Sequence, residues 1–413
     1  MKFRKRSPFK FKLIGPALSV GQAWQKLLLC SLLLCLLLML SPPAIAAEDE
    51  SFGLPFEALQ YINVDGIEQF LADLDDTLAE HWQGFSLQAL WQGWLSGDLN
   101  FDFRLLVSAL LRIFFQEVLA STALLAQLIG VSLLAVLLTT LKNSFADSDI
   151  SQIGRAVIFL LLAGVAISSF SIAMTSARTA VNNMSDFIYA TLPILLPLLA
   201  ALGGISTVGI VQPTLLLVLS LLMGLMNTFI FPLIYFSAIL RLVGQISPKL
   251  NIDKLAGLLK DLAMGVMSIA VTLFIAFLGL SGLAAASIDG LAIRALKTAT
   301  GVFIPVVGRS LADAFDSVLS TALLLKNVVG LIGALVLLMI CALPALRILV
   351  QMLVFRLAAA ILQPLGEDQL SGALSGLSNS LLLLFAVLAI SGLFAFFALA
   401  IVIGAGNLTM MLR

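Results

Sequence analysis

The sequence predicts an all-α, polytopic membrane protein, and composition and segment length are the observations that predict it. Of the 413 residues, 61% are hydrophobic and 11% are charged, whereas a soluble domain carries roughly 25% charged residues. The mean hydropathy is +1.10. Because a helix of about 20 apolar residues crosses the hydrocarbon core, the chain has room for about six to eight hydrophobic segments, one of them re-entrant, after a cleavable signal peptide.

Residues 1–46 are predicted to be that signal peptide. Basic residues between Lys2 and Lys12 precede the apolar run LLLCSLLLCLLLML, and small residues follow it at Ala44 and Ala46. This order is typical of a signal peptide, although an uncleaved first span is the alternative. In both cases the chain from residue 47 starts outside the cytoplasm. Cleavage would leave Cys341 as the one cysteine, which excludes an internal disulfide.

Residues 47–104 are predicted to form an exported small helical region. They contain twelve acidic residues and one basic residue, Arg104, and scarcity of Lys and Arg agrees with export. Asp65 and Glu68 are spaced as a capping box at the start of an amphipathic helix. The single histidine of the chain, His81, has no partners for a metal site and is assigned no role.

Residues 105–413 are predicted to be the polytopic membrane domain. The candidate spans are 118–141, 156–174, 187–211, 214–240, 262–285, 328–346 and 381–403. The residues before 118, with Arg112 and Glu117, favour an interfacial position. The segment 348–365 is a weaker candidate that would lie along the surface, because it contains Gln351, Arg356 and Gln363.

The segment 187–211 is irregular for a membrane helix. Its helix-breaking residues, with the proline just after it, are Pro193, Pro197, Gly203, Gly204, Gly209 and Pro213. Broken helices at membrane depth must be buried in protein or line a cavity. A re-entrant segment would also leave the basic loop 241–261 in the cytoplasm, as the positive-inside rule favours, whereas a full span would place that loop outside.

The segment 286–327 does not fit the same rule, because its four basic residues would lie outside. Either the chain turns back after residue 285, or these charges are paired within the fold.

A stripe of polar residues is predicted on a helix that covers 309–327. At about 100° per residue, five polar side chains fall within about 60° of one another, while Lys326 lies off the stripe near the helix end. The stripe residues are Arg309, Asp313, Asp316, Ser320 and Asn327. Three readings remain: an interfacial helix, an internal ion-pair network, and a face towards a polar lumen or a partner subunit.

A second polar group, Asn182, Asn183 and Asp186, directly precedes the irregular segment. It has two readings, a polar lining or a helix cap beside an exposed loop. The sequence lacks a phosphate-binding GxxxxGK[ST] loop and the HExxH, GxSxG and CxxC motifs. The expectation is therefore a protein without catalytic residues, a metal site or a cofactor.

Four blocks of the sequence resemble the stage III sporulation protein AE family in order and spacing. They are FQEVLASTALLAQL, LPILLPLLAALGGISTVGIVQPTLL, IPVVGRSLADAFDSVLSTALLLKNVVGLIG and LPALRILVQMLVFRLAAAILQPLGEDQL. The likeness runs from about residue 101 to the C-terminus, and the block at 305–333 is its most specific part.

The resemblance implies a subunit of the channel-like complex that joins mother cell and forespore and supports late forespore gene expression. It implies a position in the mother-cell-derived outer forespore membrane. The implied partners are other proteins of the same operon, including an ATPase and ring-forming subunits; membrane lipid is expected and nucleic acid is not. Two other functions stay open, a stand-alone secondary transporter and an assembly scaffold. The scaffold reading rests on close helix packing at Gly330, Gly333, Gly279 and Gly282.

Overall fold

A computed structural model describes the backbone of residues 103–144, 149–201, 205–246, 252–303 and 308–411. All of them belong to the second of two compact units, Pro55–Arg413. The signal peptide and most of the exported region, including His81, lie outside the described residues. No strand occurs in the described ranges, which confirms the predicted all-α class.

Eight α-helices account for nearly all of the described chain. In order they are α1 (Phe103–Ala120), α2 (Thr122–Ser144), α3 (Asp149–Ala201), α4 (Ile205–Leu225), α5 (Phe231–Ile246), α6 (Asp253–Phe303), α7 (Gly308–Leu362) and α8 (Asp368–Met411). A π-helical turn, Met226–Ile230, joins α4 to α5, and a 3₁₀ turn, Gln363–Leu365, ends α7.

Six helical segments in the described residues are long and apolar enough to cross a membrane. They are Leu110–Leu137, Ala156–Pro193, Pro213–Gln245, Asp253–Gly279, Val329–Leu365 and Asp368–Gly404. A straight helix of 38 residues, the longest of them, measures about 57 Å, against about 30 Å for the hydrocarbon core. Parts of the long helices therefore extend beyond the core.

The segment boundaries differ from the sequence prediction in four places. The first apolar segment begins at Leu110, so it includes the part expected to be interfacial. The segment 187–211 is not a helix of its own, because α3 continues to Ala201. The segment 348–365 continues α7 through Pro344 instead of forming a separate surface helix. Finally, α6 continues to Phe303, so the chain does not turn back after residue 285.

The α7–α8 hairpin is the central packing unit of the bundle. Gly366, with φ 80°, caps the 3₁₀ turn in the left-handed conformation that glycine adopts without strain, and Asp368 then opens α8. Ser371 Oγ donates to the Ala359 carbonyl at 2.9 Å, and Ser378 Oγ donates to the Met352 carbonyl at 3.1 Å. These bonds fix the two helices side by side.

Glycines let the other ends of α7 and α8 approach closely. A Cβ at Gly330 would strike the Ile403 side chain, and one at Gly333 would lie 3.2 Å from Leu399. The predicted close packing is thus confirmed at these two positions. At Gly279 no described residue lies within 4 Å of the Cβ position, so a close contact there stays a prediction, and the surroundings of Gly282 are outside the described side chains.

Candidate functional site

A polar face runs along the second half of α3. At about 100° per residue its members fall in one sector of roughly 140°, and all of them are exposed in this chain. They are Thr175, Arg178, Thr179, Asn182, Asn183, Asp186 and Tyr189. We call this group the α3 polar face.

The opposite side of α3 packs into the core and orients the polar face outward. Ala173, Ala177 and Val181 are completely buried, and Met184 and Ile188 continue the same side one and two turns later. The small alanines allow neighbouring helices to lie close to α3. The outward direction of the polar side chains follows from this packing.

The α3 polar face lies at the level of the middle of an apolar membrane segment. A Cβ at Gly392 of α8 would lie 2.8 Å from Cys341 Sγ and 3.8 Å from Met184 Sδ. Gly392 is the central residue of the run 381–403, which contains no charged residue, and about 16 Å of helix separate it from each end. Asn183 is next to Met184 along α3 and shares this depth. Phe187, next to Asp186, lies 3.6 Å from the Cβ position of Gly333, which also meets Leu399. Asp186 therefore lies between the levels of Gly392 and Leu399, still within the uncharged run.

Arg178 supplies a hydrogen bond that Pro232 takes away from the backbone of the π-helical turn. Pro232 has no N–H, and the Phe231 N–H bonds to the Met226 carbonyl in the π-helical turn. The Asn227 carbonyl is therefore left without a donor from its own helix. Arg178 Nη2 donates to it across the helix interface at 2.7 Å, and a charged donor makes a strong bond of this kind.

Asn227 also binds α3 through its side chain. Its Nδ2 donates to Asn182 Oδ1 at 2.8 Å, while its own Oδ1 is buried without a hydrogen-bond partner in the described part of the chain. We call these contacts the α3–π junction. Arg178 and Asn182 thus hold the π turn against α3, whereas Asn183 and Asp186 make no hydrogen bond to a described residue.

A second polar contact inside the bundle joins α1 to α7. Arg347 Nε donates to Glu117 Oε1 at 3.1 Å, with 41% and 22% of the two side chains exposed. Arg347 is six residues from Cys341, about 9 Å along the helix. The predicted interfacial role of Glu117 is replaced by a structural one, because the pair ties the first apolar helix to the α7–α8 hairpin.

The structure describes the backbone of the predicted polar stripe but not its side chains. Residues 309–327 are helical within α7, as expected. The side chains of its members lie outside the described ones, so what the stripe faces stays a prediction; the members are Arg309, Asp313, Asp316, Ser320 and Asn327. Lys326 is not near the helix end, since α7 continues to Leu362; it is fully buried and its Nζ donates to the Ile403 carbonyl at 2.7 Å.

The residues of the predicted re-entrant segment are divided between two helices. Pro193 and Pro197 lie exposed near the end of α3, Gly209 and Pro213 lie exposed in α4, and Gly203 and Gly204 fall in 202–204, outside the described residues. Re-entry of the chain here stays a prediction.

Asn182, Asn183 and Asp186 lie well away from both ends of α3, so the prediction that they cap a helix is wrong. The sequence reasoning missed Arg178 and Asn227. Their signal was a proline, Pro232, inside an apolar segment, together with an arginine inside another. Among the described residues no group of three or more His, Cys, Asp or Glu side chains could hold a metal ion.

A helical bundle with six apolar segments and hydrogen-bonded polar groups at mid-depth defines a multi-pass membrane protein. The family model described as Stage III sporulation protein AE matches residues 85–406. The chain is 38% identical over 319 residues to Stage III sporulation protein AE of Bacillus subtilis (strain 168), which covers 77% of this chain and 80% of the relative. The chain therefore belongs to the stage III sporulation protein AE family. No solved structure matches it.

Proposed function

We propose that this sporulation membrane protein is a subunit of a channel or export-platform complex that links mother cell and forespore and supports late forespore gene expression. The observation that carries the proposal is the α3 polar face at the level of Gly392. A polar face on the outside of a bundle, at the depth of an uncharged apolar run, is suited to line a water-filled path formed with other subunits.

Contact between the α3 polar face and lipid chains would have a free-energy cost. An arginine or aspartate at the centre of a membrane helix costs about 2.5–3.5 kcal/mol on insertion scales. Arg178 and Asp186 are both exposed on α3, with two asparagines between them. Water or a polar partner surface removes this cost, whereas lipid chains do not.

The α3–π junction supports the same proposal by keeping this lining in place. Arg178 and Asn182 bind the π turn, and π turns are frequent at functional sites because they interrupt regular helix geometry. Asn183 and Asp186 lie on the same face and make no hydrogen bond to a described residue. In our proposal the first pair positions the helix and the second pair contacts the permeating solution.

The proposed setting is the mother-cell-derived outer forespore membrane, with the mature N-terminus outside the cytoplasm. The proposed partners are the other proteins of the stage III operon, including its ATPase and ring-forming subunits, together with membrane lipid. We propose that the chain is not an enzyme, so a partner or a gradient supplies the energy. Six spans counted from outside put the α5–α6 connection in the cytoplasm, in agreement with its basic residues.

The test replaces the polar side chains of Asn183 and Asp186 with apolar ones. In the Asn183→Leu/Asp186→Leu variant we expect late forespore reporter activity to fall about tenfold or more, because apolar side chains dewet a narrow polar path. The amount of protein in the membrane fraction should stay constant. The matched control, Asn183→Gln/Asp186→Asn, keeps polarity and should keep most of the activity.

Two outcomes would contradict the proposal. One is full reporter activity in the double leucine variant at normal protein level. The other is solute uptake by the purified chain alone in liposomes, which would favour a stand-alone transporter. Co-purification of the partner proteins is measured in parallel; retained assembly together with lost activity would count against a scaffold that only assembles the complex.

A further inference from the structure

The α3 polar face has two edges with different contacts. Arg178 and Asn182 lie on the edge towards the π turn, and both bind Asn227 there through hydrogen bonds. The other edge consists of four exposed side chains that fall within about 80° of one another around the helix. They are Thr175, Thr179, Asn183 and Asp186, and we call them the open edge.

The open edge is not bonded to another helix in the described part of the chain. Thr175 Oγ1 donates to the Ser171 carbonyl of its own helix at 3.0 Å. The other three side chains make no hydrogen bond or ion pair to a described residue. From Thr175 to Asp186 the edge is about 17 Å long, more than half of the hydrocarbon core of about 30 Å. It is therefore the part of α3 that the proposed water path would follow.

Asp186 is the one ionisable side chain of the open edge. Arg178 lies about 80° around the helix from Asp186 and about 12 Å along it. Its guanidinium is held by the Asn227 carbonyl at 2.7 Å, so it is directed towards the π turn and away from the open edge. Because a carboxylate in contact with water is ionised at neutral pH, the open edge carries one negative charge and no positive one.

Two cations elsewhere in the bundle are bound to other groups. Lys326 is completely buried, and its Nζ donates to the Ile403 carbonyl at 2.7 Å. Arg347 donates to Glu117 at 3.1 Å, so these two charges neutralise each other. Among the described residues none forms an ion pair with Asp186, and its charge therefore acts on whatever occupies the open edge.

We infer that the water path along α3 prefers cations to anions and that Asp186 sets this preference. The preference rests on the proposed function, since it requires water at the open edge. An acidic side chain on the wall of a narrow path attracts cations and repels anions, and apolar surroundings strengthen both effects. The side-chain oxygens of Thr179 and Asn183 can replace part of a cation's water shell. The favoured class of solute is thus small and positively charged, whereas phosphates and other anions are disfavoured.

The experiment measures the sign of the electric potential at position 183 in membranes of sporulating cells, where the other subunits are present. A chain with all three native cysteines replaced carries Asn183→Cys. Two methanethiosulfonates of similar size react with it, one bearing a trimethylammonium group and the other a sulfonate. The ratio of their rates is divided by the same ratio for a free thiol in solution. Since the thiolate reacts with both reagents, any effect of Asp186 on thiol ionisation cancels in this corrected ratio.

We expect a corrected ratio above one, and Asp186→Asn should lower it about tenfold. Side chains three residues apart on a helix are about 6 Å apart. At that distance in water, a unit charge changes the local concentrations of a cation and an anion about threefold in opposite directions. Asp186→Glu keeps the charge and should keep the ratio. A rate constant does not depend on the amount of protein, so a variant with a lowered membrane level still gives a valid ratio.

Two controls test whether the effect is local. Asp261→Asn removes an exposed carboxylate of α6, about 20 Å of helix before Phe274, and should leave the ratio at position 183 unchanged. Thr175→Cys places the thiol about 17 Å from Asp186, beyond the screening length of about 10 Å at 0.1 M salt. There Asp186→Asn should have a much smaller effect.

Salt provides a measurement that needs no change at Asp186. Raising the salt concentration to about 1 M shortens the screening length to about 3 Å, so the corrected ratio of Asn183→Cys should fall towards one. A ratio above one that does not change with salt would contradict an electrostatic preference. This measurement carries the test if Asp186→Asn does not reach the membrane.

Three further results would overturn the cation preference while leaving the water path in place. They are an unchanged ratio in Asp186→Asn, an equal fall in Asp261→Asn, and a corrected ratio below one in Asn183→Cys. Absence of reaction with both reagents at position 183 would instead contradict the water path, and with it the cation preference.

Discussion

Two exposed helix faces lie at the same depth of this protein and differ completely in chemistry. On α6, Ile269, Leu273 and Ile275 are 60%, 50% and 62% exposed next to Phe274, which packs on Phe394. On α3, Asn183 and Asp186 are equally outside the bundle, next to Met184, which packs on Gly392. The α6 face suits lipid chains, and the α3 face suits water or polar protein.

In our proposal the two faces meet different environments in the membrane, lipid chains at α6 and water or polar protein at α3. A protein surrounded only by lipid would show apolar side chains on every exposed face at this depth. In our proposal the α3 polar face is the side of the bundle that water and other subunits cover. Three predictions follow from this contrast.

The largest effect is expected when one charge is placed on each face in turn. Leu273→Arg puts a cation against lipid and should cost about 2.5–3.5 kcal/mol of insertion free energy, so the protein in the membrane fraction should fall steeply. Asn183→Arg adds the same charge to the α3 polar face and should leave the amount near normal. Immunoblots of membrane fractions measure both; equal losses would remove the distinction between the faces.

A smaller effect is expected at the α3–π junction. Arg178→Leu removes the donor to the Asn227 carbonyl, and the orphaned carbonyl should lower the free energy of unfolding by about 1–2 kcal/mol. Thermal unfolding in detergent measures the change. Thr179→Val, on the same exposed side without an interhelical bond, is the control and should have little effect; a comparable loss there would show that the junction contributes nothing specific.

The smallest loss of stability is expected when the Glu117–Arg347 pair is changed. Here the two opposite charges neutralise each other within the chain. Glu117→Gln should destabilise the protein by about 1 kcal/mol, because the pair is partly exposed. Arg347→Gln together with Glu117→Gln should restore part of this loss, since no single charge remains. Additive losses in the double variant would contradict direct pairing and show that the two residues act independently.

The sequence predicted the fold class and most apolar segments because hydrophobic length is a local property. It did not predict that 187–201 and 348–362 continue the helices before them, because prolines such as Pro193 and Pro344 are tolerated within long packed helices. The polar group at 182–186 was visible in the sequence. Its outward direction was not, since that depends on which side of α3 packs against α8.

The α3–π junction was beyond sequence reasoning for a similar reason. Arg178 and Asn227 are 49 residues apart, and only the antiparallel packing of α3 against the π turn brings them together. The Lys326 contact with Ile403 spans 77 residues and has the same origin. Contacts between distant segments depend on the tertiary packing, which apolar periodicity does not encode.

Water access at mid-depth distinguishes the α3 polar face from the apolar face of α6. In a chain with all three native cysteines replaced, Asn183→Cys and Leu273→Cys are compared in membranes of sporulating cells with a charged, membrane-impermeant maleimide, which reacts with thiolates in water. We expect labelling at position 183 and none at position 273, with both positions labelled after denaturation. Absence of labelling at 183, or equal labelling at both positions, would contradict a water-filled path along α3.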